Sequence, residues 1–129
     1  MRTLPVFALC LSSFVALAEP SPPISIEIPQ GLHAGDRKTV RVSVALPEGA
    51  AEAVLLTTGS EGTALEVVRG RFLRPDAVDP KARDLLFDVP IMARAAGVAI
   101  FRAHLLAYRC AEACTAFEHE AQVSIEVAK

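Results

Sequence analysis

Two cysteines near the C-terminus carry the chemistry this sequence offers. Cys110-Ala-Glu-Ala-Cys114 places three residues between the thiols. At a chain reversal that spacing lets the two Cα atoms face each other at disulfide distance. Three chemistries fit such a pair. A structural bridge would fix the register of the hairpin. An exchangeable dithiol would pass electrons to partner proteins, and at an exposed tip such a bridge is open to attack. A thiolate pair could also hold a metal, because thiolate and imidazole suit copper and His119 lies four residues beyond Cys114. Arg109 is the basic neighbour that would favour a thiolate at Cys110.

The compartment decides between thiol and disulfide. Met1-Arg2 is followed by an apolar run from Leu4 to Leu17 and the small-x-small site Ala16-Leu17-Ala18. This is the layout of a secretory signal over 1–18. Cys10 lies inside that run after Leu9, where a lipoprotein signal needs a small residue. Removal of the signal takes Cys10 with it and turns three cysteines into two. In an oxidising periplasmic or extracellular setting, the pair is expected to be joined. No later stretch is long enough for a membrane helix.

Those cysteines must be positioned by strands. Residues 19–23 are a Pro-rich lead-in, and 24–129 read as one domain. Ile24, Ile26 and Ile28 alternate with polar residues. So do Val40, Val42, Val44 and Leu46, the clearest period-two run. Pro47-Glu48-Gly49 ends it, and Ala50 to Ala53 has room for one helical turn. Further strands are expected at Ala53–Thr58, Ala64–Arg69 with Gly70 as a bulge before Phe72 and Leu73, Leu85–Met92, Val98–Tyr108 and Thr115–Val127. Pro90 marks its strand as an edge or a bend. Arg74 to Arg83 is the longest loop. About seven strands at roughly ten-residue spacing predict an all-β, immunoglobulin-like antiparallel β-sandwich. Its expected core is Val40, Val42, Val44, Leu85, Phe87, Phe101, Leu105, Val123 and Ile125.

The segment Leu105-Leu-Ala-Tyr-Arg-Cys110-Ala-Glu-Ala-Cys114, with the alternating strand to Val127, resembles the end of the N-terminal immunoglobulin-like domain of DsbD-type periplasmic thiol:disulfide interchange reductases. The resemblance covers about 25 residues. It implies that Cys110 and Cys114 form a redox pair serving thioredoxin-like partners. Members of that family place a proline soon after the second cysteine, where Thr115-Ala116-Phe117 stands here. Phe72 is the residue available as their aromatic cap. No membrane domain follows, so a stand-alone copy would be a redox donor or a relative that kept the sandwich without the chemistry. The cysteine spacing is also similar to that of the dinuclear copper A centre on a cupredoxin sandwich. Here the histidine comes one residue late, which turns it to the other strand face, and no methionine follows in 121–123. His119 is in phase with Phe117, Ala121 and Val123 and is expected at the core or its rim.

Other classes are excluded by composition. Net charge is −2 and charged residues are 22 % of the chain, so no basic excess exists to neutralise nucleic-acid phosphates. There is no Trp and one Tyr, so no base-stacking platform is available. Apolar residues at 52 % argue for a packed core over a disordered tail. No hydrolase constellation or cofactor motif is present. Arg69, Arg71 and Arg74 read as a charged, solvated edge, the acids Glu118, Glu120 and Glu126 as a solvated face, and His33 as a solvated turn residue. The leading expectation is a non-enzymatic exported module that binds another exported or membrane protein. An exposed sheet edge near Pro90 or Arg69 would be its docking site. Thiol:disulfide exchange through Cys110 and Cys114 is the alternative, and copper binding by Cys110, Cys114 and His119 the remote one.

Overall fold

The computed structural model describes residues 23–46, 53–110 and 112–129. The expected signal segment 1–18 with Cys10, most of the lead-in, Pro47-Glu48-Gly49 and the expected helical turn at 50–53, apart from Ala53, which opens a strand, lie outside the described residues. So does the side chain of Arg109.

Eight strands are described: β1 (Ile24–Glu27), β2 (Arg37–Ala45), β3 (Ala53–Glu61), β4 (Leu65–Val67), β5 (Arg71–Leu73), β6 (Asp84–Ala93), β7 (Gly97–Cys110) and β8 (Cys114–Val127). They form two four-stranded sheets, ordered β1-β2-β6-β4 and β5-β3-β7-β8. Every pairing between these strands is antiparallel. The all-β sandwich read from the strand spacing is therefore the fold.

Alternation builds the core. Along β2, Val40, Val42 and Val44 are fully buried, while Thr39, Arg41 and Ala45 face solvent. Leu85, Phe87, Val89 and Ile91 do the same on β6, and Phe101, Ala103, Leu105 and Ala107 on β7. Each large side chain removed from water stabilises the fold by about 1.5–3 kcal/mol before entropy is charged against it. The expected core residues are all buried except Val123, which packs half-buried at the margin because β8 is the last strand of its sheet.

Two expectations are corrected. Ala64–Leu73 is not one bulged run. β4 pairs with β6 in one sheet and β5 with β3 in the other, so the chain changes sheets at Val68–Gly70. A Cβ built on Gly70 would stand 2.8 Å from the carbonyl oxygen of Thr58, so this crossing needs glycine. Pro90 does not mark an edge either, because β6 lies between β2 and β4. Its carbonyl accepts the Val68 N–H at 2.9 Å. Backbone N and C=O of one strand residue face the same neighbour, so the missing donor falls just past the end of the short β4.

The end of the sandwich opposite the cysteines is closed by the chain leaving β1. Leu32 is buried, its carbonyl accepts the Ala128 N–H at 2.8 Å, and the Ala128 carbonyl accepts from Ala34 at 3.1 Å.

Candidate functional site

β7 and β8 run side by side for fourteen residues each and carry the cysteine pair at their shared tip. The register sets Cys110 directly opposite Cys114, with Tyr108 opposite Ala116 and His104 opposite Glu120. The two cysteines are joined in a disulfide, with Cα atoms 4.0 Å apart. Cys114 is exposed and Cys110 half-buried.

Strand parity fixes what surrounds the bridge. Even-numbered residues of β7 and β8 share one face. That face carries the disulfide, the exposed Tyr108, Leu106, His104, Glu118 and Glu120. His104 Nε2 lies 2.8 Å from Glu118 Oε2, and a carboxylate only accepts, so the imidazole donates. His119 is odd-numbered and lies on the other face. It is exposed, not a core histidine, and its ring meets Phe117 edge-on at 5.9 Å. The structure thus does not bring His119 to the cysteines. Among the described residues no group of three or more His, Cys, Asp or Glu side chains is arranged to hold a metal.

Phe72 does not cap the bridge. It is buried on β5 opposite Leu56 and packs edge-on against Phe87 at 5.8 Å, in the core.

The arginines expected at a charged edge bind one another's turn. Arg69 Nη2 lies 2.9 Å from Asp76 Oδ2, its Nε donates to the Arg71 carbonyl at 3.2 Å, and its guanidinium covers the Phe72 ring at 4.7 Å. Arg74 Nε donates to the Pro80 carbonyl at 3.1 Å. Asp76 closes the 3-10 turn Arg74–Asp76 by accepting the Leu73 N–H at 2.8 Å. That hydrogen bond, then the one from Arg69, holds its carboxyl below the usual carboxylate range. His33, at the far end, is exposed beside Asp36 as expected.

Sequence reasoning missed the edge of the second sheet. β8, fourteen residues long, ends that sheet, and among the described residues no strand hydrogen-bonds to its outer side. The other outermost strands, β1, β4 and β5, have four, three and three residues. The signal available was the run Glu118, Glu120 and Glu126 on a strand with no Lys or Arg. It cannot be read as an edge before the strand order is known.

No family model matches the chain, and no curated protein matches it. Among solved structures, trypsin-activated alpha-2-macroglobulin from Escherichia coli is similar, with a TM-score of 0.59 and 16 % identity over 84 % of this chain. The chain spans 7 % of the length of that protein. The likeness shows the fold: a sandwich of this kind recurs as a small part of a much larger chain.

Proposed function

We propose that the chain is an exported, non-enzymatic β-sandwich module that binds another protein by accepting a strand of it along β8. The observation that carries this reading is the contrast between edges. Among the described outermost strands three are too short to template a partner, and β8 is fourteen residues long. An unpaired edge presents a row of N–H and C=O groups that an added strand satisfies. The N-terminal apolar run with its small-x-small site supports export. The test is capture on the immobilised protein from an extract of the cells that make it, with Gln122→Pro as control. A partner held by the wild type and lost by the proline variant supports the reading. No partner, together with turnover of a substrate, overturns it.

The exposure of the disulfide at the hairpin tip favours a second reading, thiol:disulfide exchange. A partner thiolate attacks one sulfur and forms a mixed disulfide. The partner's second thiol resolves it. Two electrons and two protons pass to Cys110 and Cys114, and the partner leaves oxidised. Equilibration in glutathione buffers tests this: a potential below about −300 mV, where a bridge resists physiological thiols, overturns it.

A further inference from the structure

We infer that the strand added to β8 is a basic one: an extended segment with Lys or Arg at alternate positions and apolar residues between them. The inference rests on the binding reading above and adds the partner's chemistry.

The direction of the free backbone groups comes first. Ala128 turns its N–H and C=O to Leu32 and Ala34, the segment that follows β1. Backbone groups alternate sides along a strand. Glu126, Ser124, Gln122, Glu120 and Glu118 therefore point theirs the same way, away from β7. No described strand pairs with them there. The segment after β1 hydrogen-bonds the last residue of this edge and β1 itself passes close to β8, but no described strand hydrogen-bonds on that side to the residues before it.

The side chains of the same even-numbered residues choose the occupant. An added strand sets its residues about 4.5–5.5 Å from those directly opposite, on the same face. The face it meets carries Glu118, Glu120 and Glu126, and β8 holds no Lys or Arg. Glu118 is engaged by His104, while Glu120 and Glu126 make no ion pair among the described residues. The cation nearest on β7, Arg102, is held by Glu61 at 2.9 Å and Gln122 at 3.2 Å. Alternate cations on an incoming strand would meet these carboxylates in register. Residues between them would lie beside Phe117, Ala121 and Val123, which are half-buried at the core margin. A second copy is disfavoured, because its β8 would bring three more carboxylates to the same edge.

The probe is a fluorescein-labelled nine-residue peptide alternating lysine and valine, titrated against the full chain and read by anisotropy. Its counterpart has glutamate in place of lysine. The expected result is binding of the lysine peptide, with the glutamate peptide roughly tenfold weaker or worse, and a preference that fades as salt screens exposed charge. The double variant Glu118→Lys with Glu120→Lys should reverse the preference. Gln122→Pro removes an outward N–H while keeping every charge, and should weaken the lysine peptide by about tenfold. Should that variant fail to fold, a lysine peptide N-methylated at alternate residues replaces it and should bind as poorly. Undiminished binding with either change would overturn the inference, because the attraction would then be charge without strand pairing. So would equal binding of the two peptides, or a dimer of the full chain dispersed by Gln122→Pro. A cellular partner lost with Gln122→Pro but indifferent to the glutamate reversal would overturn the basic-strand inference alone and leave the binding module standing.

Discussion

At the level of single residues, Cys110 and Cys114 close a loop so short that the bridge removes little freedom from the unfolded chain, about 2 kcal/mol in the chain-entropy account. The double change Cys110→Ala with Cys114→Ala should therefore leave the sandwich folded and cost about 1–2 kcal/mol in denaturant melts. Mass spectrometry of the wild type without reductant should show the disulfide as a loss of roughly two hydrogens against the reduced chain. Gly70 and Gly59 make a sharper pair. Alanine at Gly70 would drive its Cβ against the Thr58 carbonyl oxygen at 2.8 Å, whereas nothing lies within 4 Å of a Cβ at Gly59. Gly70→Ala should cost about 1–3 kcal/mol, and Gly59→Ala should be neutral or slightly stabilising, because it narrows the unfolded ensemble. Asp76 predicts a pH effect. Its folded carboxyl titrates below the ordinary value of 3.8 because Leu73 N–H and Arg69 hold the charged form. A depressed folded value adds stability above the unfolded one, and that stability is lost as pH falls through the folded one. The melting temperature of Asp76→Asn should fall below wild type at pH 6, and the gap should close below pH 4 or so.

At the level of elements, what was legible followed from periodicity. β2 announces itself through Val40, Val42 and Val44, and β8 through Val123, Ile125 and Val127, because alternation along a half-buried strand is written in the residues themselves. The division of 64–73 between two sheets is not written there. Leu65 and Phe72 are both apolar and both buried, and only the strand across from each distinguishes their sheets. Pro90 misleads for the same reason. A missing donor signals an edge only if the neighbouring strand is long enough to need it, and β4 stops at Val67. The elements also rank their side chains. Phe87 on the interior strand β6 is fully buried and touches Phe72, while Val123 on the last strand is half-buried. Denaturant melts should show Phe87→Ala costing about 3–5 kcal/mol. Val123→Ala should cost well under half of that, because water already reaches part of the site.

At the scale of the molecule, the cysteine pair was legible because two thiols at that spacing carry their chemistry in sequence. The outermost place of β8 among the described strands of its sheet was not, because an edge is a property of strand order. The sandwich is also unequally held along its length. Its middle and its Leu32 end are buried, whereas residues 112–120 are exposed except for the half-buried Phe117. Segments with few buried contacts open at lower free energy than the core. Amide hydrogen exchange should therefore be fastest in the first half of β8 and slowest at Val42 of β2 and Phe87 of β6. Reduction of Cys110–Cys114 should quicken exchange near the tip, at Tyr108 and from Thr115 to Glu118. Val42 and Phe87 should stay as slow as before, because neither the core nor the Leu32–Ala128 closure involves the bridge. A bridge that can be opened without loosening the sheets is what exchange with a partner requires. Faster exchange throughout the sandwich on reduction would instead show that the short bridge holds the whole fold, and would remove thiol exchange as a function of this tip.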